Sequence, residues 1–181
     1  ESILAGARGL NSDSEKEKYV HDALMQRVEY DVNAPMNQSA YSALVGGRSV
    51  CAGYARAFQH LLQQLGIPCY YCTGYAGEDH AWNIVRLADR YYNVDVTWDD
   101  TDNPTYDYYN KSDGEFRNTH MRTGLSVYLP ACVAEGERAE ESGNGVSGEG
   151  DVGSGDGNSD SGGAADSGDT DNSTDVSGMD L

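Results

Sequence analysis

Residues 46–68, GGRSVCAGYARAFQHLLQQLGIP, carry the clearest helix signal in the chain and decide how its neighbours are interpreted. The apolar residues follow the 3.6-residue period of one helix face: Val50, Tyr54, Ala57, Phe58, Leu61, Leu62 and Leu65. Ser49 is a suitable N-cap, and Gly66 followed by Pro68 ends the helix. The pattern predicts a largely buried central helix with Cys51 in its first turn.

The segments around this helix predict a mixed fold. A Ser14–Glu17 capping box indicates that an earlier helix covers residues 15–29. After the central helix, alternating Tyr, Val and Thr residues predict strands at 67–75, 80–87 and 91–98, with a final edge strand at 126–133. The short turn at residues 88–90 predicts that the last two of the three strands form an antiparallel hairpin. The expected fold class is α+β, with helices on one side of a small antiparallel sheet.

Cys51 is the first candidate for chemistry because of its place at the start of a helix. The thiolate is the nucleophilic form of cysteine, and a helix N-terminus offers partial positive charge and free N–H groups. Those N–H groups can also stabilise an oxyanion. The alternative is an inert core cysteine, which is the common state of a cysteine in a buried helix.

His80 and Asp95 supply the partners that a catalytic cysteine needs. In the predicted hairpin Asp95 lies opposite Trp82, so His80 is its diagonal neighbour on the same face of the sheet. His80 would take the proton of Cys51 and return it to a leaving amine. Asp95 would orient His80 and favour its charged form.

The other three cysteines give a weaker signal. Cys69 and Cys72 form a C-x-x-C on a predicted strand, where positions i and i+3 point to opposite faces. A metal or redox role therefore competes with structural core cysteines, or with a disulfide from one of them to Cys132. We predict no metal site and no cofactor.

These motifs together resemble the bacterial transglutaminase-like domain, a branch of the papain-like thiol enzymes. The resemblance rests on the C-x-G-Y-A helix start at Cys51, the H-A-W-N strand at His80 and the V-D-V-T-W segment around Asp95, and it covers about residues 15–130. It implies a papain-like core in which the cysteine helix packs on the sheet, a Cys51–His80–Asp95 triad and a thioester acyl-enzyme.

The substrate groove is less well specified. The family resemblance implies an oxyanion donor upstream of the cysteine, for which Tyr41 is the first candidate and Gln38 the second. Trp82 is expected to form an apolar wall that limits water access. His120 is either an extra polar group near the site or a surface histidine, and we favour the surface position.

The charge of the chain is concentrated in its C-terminal part. Of the net charge of −18, residues 134–181 carry −12, with 13 acidic residues and one basic residue. That segment is rich in Gly, Ser and Asp and has no aromatic residue, so it predicts a disordered tail or linker after a domain at residues 1–133. The negative charge argues against nucleic acid as a partner, and no segment is apolar enough to predict membrane insertion.

The leading functional hypothesis is thiol-dependent acyl transfer on amide or peptide substrates, with hydrolysis favoured over crosslinking by protein-glutamine transglutaminase activity. A non-catalytic peptide- or glycan-binding module on a surface protein is the alternative from another class. An arylamine-acetyltransferase-like reaction is disfavoured because no segment resembles a nucleotide-binding motif. The expected partner is a protein or peptide substrate. The first residue is Glu1 rather than Met, and with the acidic tail this favours an extracellular or cell-surface bacterial protein tethered through that tail.

Overall fold

A computed structural model describes residues 2–134, so the predicted tail lies outside the described residues except for Ala134. The helices are α1 (Ser2–Arg8), α2 (Asp13–Met25), α3 (Cys51–Gln64), α4 (Val96–Asp99) and α5 (Asp113–Phe116). The strands are β1 (Glu29–Tyr30), β2 (Arg48–Ser49), β3 (Cys69–Tyr75), β4 (Asp79–Leu87), β5 (Arg90–Val94) and β6 (Met121–Arg122). A π-helical turn covers Ser42–Gly46, and a 3₁₀ helix covers Gly124–Tyr128.

The main sheet has four antiparallel strands in the order β5-β4-β3-β6. The β4–β5 hairpin pairs Leu87 with Arg90 and Asn83 with Val94. These pairs have the register predicted for the hairpin, but the strand pairing ends at Val94, one residue before Asp95. The α+β fold class is also confirmed, since α3 and α2 pack on one face of this sheet.

The two largest parts of the core lie on opposite faces of the sheet, and a small third cluster joins Ala52 and Ala55 of α3 to Ala81 of β4. The larger part joins α2 and α3 to Cys69, Val85 and Val94. The smaller part lies on the opposite face and contains Cys72, Trp82, Ile84, Phe116 and Cys132. The sulfurs of the C-x-x-C motif therefore diverge as predicted, and the structure shows all four cysteines as free thiols.

Three sequence-based assignments are wrong in detail. Helix α2 begins at Asp13 with Ser12 and Glu15 as its capping box, because a second S-x-x-E pattern overlaps the one chosen. The strand predicted for 91–98 ends at Val94, because Asp95 becomes the N-cap of α4. The segment predicted as an edge strand at 126–133 contains part of the 3₁₀ helix instead, and the edge strand is β6.

Within the described residues, no helix combines the length and the apolar character that crossing a membrane requires.

Candidate active site

Cys51 is the first residue of α3, and its side chain is partly exposed, whereas Cys69, Cys72 and Cys132 are buried. The N-cap is Val50 rather than Ser49, and the carbonyl of Val50 accepts the first helical hydrogen bonds from Gly53 and Tyr54. The thiol therefore lies beside the free N–H groups of a long helix, as predicted.

Gly53 allows the chain upstream of the helix to pack directly against its first turn. A Cβ atom at this position would lie 1.8 Å from Ser49 Oγ and 2.7 Å from the carbonyl oxygen of Asn37. Ser49 Oγ and the Val50 N–H both donate to that same carbonyl. The C-x-G spacing thus fixes the segment that carries Gln38 next to Cys51.

His80 lies between the thiol and a carboxylate. Its Nε2 atom is 2.6 Å from Asp95 Oδ2, and the Cys51 thiol is close enough to the ring to contribute to its pKa. Because Asp95 occupies Nε2, Nδ1 is the ring nitrogen left for the sulfur. Burial alone would lower the pKa of His80, but the hydrogen bonds to Asp95 and Cys51 outweigh it and raise the pKa to about 10. The ring therefore favours its charged form.

Asp95 is fully buried at the point where β5 becomes α4. Its Oδ1 atom accepts hydrogen bonds from the N–H groups of Thr97 at 3.0 Å and Trp98 at 3.3 Å. Burial alone would raise the pKa of this carboxyl, but hydrogen bonds from His120 and His80 outweigh it and lower the pKa. Asp95 is thus held as an acceptor-only carboxylate.

His120 is not a surface residue, so the favoured prediction for it is wrong. It is 5% exposed, and its Nε2 atom lies 3.0 Å from Asp95 Oδ2. Its ring packs on Phe116 and Trp98, with centroid separations of 4.4 and 4.6 Å. The sequence gives only a weak signal for this position, since a single His after the sheet has no periodic context.

Trp82 does not form a wall of the groove over Cys51. It is 1% exposed, its Nε1 donates to Asn93 Oδ1, and its ring packs behind His80 at a centroid separation of 6.3 Å. It faces a separate pocket of about 350 Å³ on the same side as His120. Trp82 and Ile84 lie on the face of β4 that is covered by the smaller core. His80 lies on the same face but near the start of the strand, where it lines the cleft.

An open cleft of about 580 Å³ exposes Cys51 and His80. Gln38 is among the described residues that line it, whereas Tyr41 is not, and Tyr41 is 60% exposed. Of the two oxyanion candidates, the cleft therefore favours Gln38. The remaining lining is polar and aromatic: Tyr30, Val32, Asn37, Val50, Ala52, Tyr71, Thr73, Gly74, Glu78, Asp79, Ala81 and Thr123.

One group in the described part of the chain has the spacing of metal ligands. The ligand-type atoms of His80, Asp95 and His120 lie within 4.8 Å of one another. An ionised carboxylate can only accept hydrogen bonds, so both Nε2 atoms carry protons directed at Asp95. A catalytic metal site also keeps a position open for water or substrate, whereas all three residues here are buried. We therefore interpret this cluster as a hydrogen-bond network.

Comparisons with known proteins identify the family and the fold. A family model described as the transglutaminase-like superfamily matches residues 2–96. The chain is 30% identical over 106 residues to the kyphoscoliosis peptidase of Mus musculus and 28% identical to that of Homo sapiens. The match covers 49% of the chain and 16% of each relative, so the chain corresponds to a small part of those proteins. A solved structure described as a TGase is similar with a TM-score of 0.50 at 18% identity, over 64% of this chain and 35% of the other.

Proposed function

Because the chain belongs to the transglutaminase-like superfamily, we propose that it is a thiol-dependent acyl-transfer enzyme that acts on amide or peptide bonds. Cys51 is the nucleophile, His80 the general base and acid, and Asp95 the carboxylate that orients His80. The observation that carries this proposal is that one imidazole bonds a buried carboxylate and lines the same cleft as a partly exposed thiol at the start of a helix.

The first step is attack of the Cys51 thiolate on a substrate carbonyl carbon. The carbonyl π-electrons move to oxygen, and the N–H groups at the start of α3 lie where they can bind the resulting oxyanion. The side-chain amide of Gln38 is the second donor in this scheme. His80, whose pKa is raised to about 10, is the base that takes the proton of the thiol.

The second step breaks the C–N bond of the substrate. His80 gives its proton to the leaving amine, and a thioester on Cys51 remains. His80 then takes a proton from water, whose oxygen attacks the thioester and releases a carboxylic acid and the thiol. An amine can replace water in this step, which would give crosslinking. We favour water, because the matched mouse and human relatives are named as peptidases.

The charge of the cleft favours certain peptides over others. Glu78 and Asp79 line it next to His80, and neither forms an ion pair with a described residue. We infer that peptides with a basic side chain near the reacting bond are preferred to acidic ones. A peptide panel that varies this one charge tests the inference directly.

Selective alkylation tests the identity of the nucleophile. Burial raises the pKa of Cys72 and Cys132 to about 12 and also raises the pKa of Cys69. At pH 7 we expect iodoacetamide to label Cys51 first, because the thiolate is the reactive form and only Cys51 is partly exposed. Equal labelling of all four cysteines would contradict the proposal.

The role of His80 is tested with a matched histidine variant. His80→Ala should slow labelling of Cys51 by about tenfold or more, because the thiolate loses its imidazolium partner. His60→Ala is the control, since His60 is an exposed histidine on the same helix as Cys51.

Product analysis then separates the two acyl acceptors: release of ammonia from glutamine peptides in water, or formation of an adduct with an added primary amine.

A further inference from the structure

Two imidazoles share one oxygen of the Asp95 carboxylate. Oδ2 accepts from His80 Nε2 at 2.6 Å and from His120 Nε2 at 3.0 Å. Oδ1 accepts from the N–H groups of Thr97 and Trp98 in the first turn of α4. The carboxylate therefore receives four hydrogen bonds, and only one of them comes from the histidine that contacts the thiol.

The ring of His120 has no room to turn away from Asp95. It is enclosed by aromatic rings at centroid separations of 4.4 to 5.7 Å: Phe116, Trp98, Trp82, Tyr108 and His80. Its other nitrogen, Nδ1, lies 2.8 Å from Thr119 Oγ1. This environment fixes the Nε2–H group on the carboxylate.

The orientation of Asp95 does not depend on His120, because the two N–H groups of α4 already hold the other oxygen. The effect of His120 is therefore on the charge of the carboxylate. We propose that His120 is a positioning residue, which draws part of the Asp95 charge away from His80 and so keeps the imidazolium acidic enough to protonate a leaving amine. This inference rests on the proposed acyl-transfer function.

The physical reason is a competition between two donors for one acceptor. A carboxylate oxygen that already accepts a hydrogen bond from His120 stabilises the positive charge of His80 less strongly. Without His120, Asp95 would hold the proton on His80 more tightly, and His80 would become a weaker general acid. Other ionisable groups surround His80 and His120. The cleft beside His80 contributes Cys51, Tyr30, Glu78 and Asp79, and the His120 side contributes Tyr108, Asp113, Arg117 and Arg122.

A comparison of amide and ester turnover isolates this effect. A p-nitrophenyl ester releases an anion that needs no proton, whereas the alkyl amide of the same blocked peptide requires a proton from His80. We expect His120→Phe to lower the ratio of amide to ester turnover by about threefold to tenfold and to move the alkaline limb of amide turnover upward by about one pH unit. His120→Gln keeps an N–H donor for Asp95 and should stay within about twofold of the wild-type ratio.

A purely structural role for His120 predicts a different outcome. Ile84→Val is the control, because Ile84 is buried in the same core cluster as Trp82 and Phe116 but is not one of the rings around His120. It should lower the melting temperature without changing the amide-to-ester ratio. If His120→Phe is folded and behaves in the same way as this control, the inference is wrong.

A second measurement uses the wild-type protein and does not depend on how the variants fold. In ¹⁵N-histidine-labelled protein, His120 Nε2 must keep its bonded proton throughout the titration of His80, and a proton only on Nδ1 would overturn the inference.

Failure of the proposed function is recognised separately: a wild-type chain without turnover of either substrate and without selective labelling of Cys51 is not this kind of enzyme, whatever the state of His120.

Discussion

Glu17 is a buried glutamic acid that we expect to keep its proton in the folded protein at pH values where an exposed glutamic acid is ionised. It lies on α2 with 0% exposure, and its Oε2 atom accepts from Tyr109 at 2.8 Å and from Asn110 Nδ2 at 2.9 Å. Oε1 of Glu17 and Oδ1 of Asn110 are both buried without a hydrogen-bond partner. A proton on Oε1 would complete an acid–amide pair with Asn110 and satisfy both oxygens at once.

The pKa of the Glu17 carboxyl determines how much the free energy of unfolding changes with pH. Burial is the main cause, and it raises the pKa of Glu17 from 4.5 to about 7 even though the bonds from Asn110 and Tyr109 and the nearby His21 lower it. The folded state therefore binds a proton that the unfolded state releases above pH 4.5. The free energy of unfolding therefore falls as the pH rises from 4.5 through about 7. The full loss above that range is about 3 kcal/mol.

The perturbation that tests this reasoning is Glu17→Gln. Its side-chain NH₂ can donate to Asn110 Oδ1 and its oxygen can accept from Tyr109, so the bonds are kept without an ionisable group. The free energy of unfolding is measured with urea at a series of pH values, from the fluorescence of Trp82 and Trp98. We expect the variant to gain about 3 kcal/mol relative to the wild type between pH 4.5 and pH 9.

Glu15→Gln on the same helix is the matched control. Glu15 bonds the N–H groups of Ser12 and Asn11, which lowers its pKa, so its contribution to stability is present at higher pH and is lost as the pH falls. As the pH rises, the free energy of unfolding of Glu17→Gln should therefore increase relative to the wild type, whereas that of Glu15→Gln should decrease relative to the wild type. A stability difference for Glu17→Gln that does not change with pH would show that Glu17 is already ionised in the folded state.

Three further substitutions test the structure around the site. Gly53→Ala should cost about 2 kcal/mol in urea unfolding and abolish selective labelling of Cys51, because its Cβ has no space beside the backbone of Asn37. Tyr54→Phe should cost about 1–3 kcal/mol by the same measurement, because it removes a buried hydroxyl that bonds the Val28 carbonyl and Asp100. Asp95→Asn keeps the oxygen that caps α4, so turnover should fall about a hundredfold or more while the melting temperature changes little.

The parts of the structure that sequence predicted are those with a local, repeated signal. The face of α3 repeats over four turns, and Gly66, with φ of +80°, ends it as its position after the last apolar residue indicated. The hairpin register followed from a short turn between two strands and placed His80 and Asp95 together. The family resemblance added the order of the three motifs, and the match to residues 2–96 confirms the family.

The parts that sequence did not predict depend on contacts between distant segments. His120 reaches Asp95 across 25 residues, and nothing in R-N-T-H-M-R-T-G distinguishes a buried histidine from an exposed one. The S-x-x-E pattern occurs twice in succession, so the sequence does not distinguish the capping Glu15 from the buried Glu17. Only the hydrogen bonds from Tyr109 and Asn110 identify Glu17 as the interior residue. A polar residue in a polar stretch carries no burial signal of its own.

Asp95 shows why the site and the fold cannot be separated at this point of the chain. One of its oxygens begins α4 and the other binds two imidazoles, so the residue that ends β5 also defines the acid–base pair. A β-strand that simply continued would leave the residues after Asp95 extended and remove both N–H groups from Oδ1. The carboxylate could then rotate, and His80 would lose its fixed partner. The short helix α4 is therefore a requirement of the proposed chemistry. It also explains why the strand predicted for residues 91–98 ends at Val94.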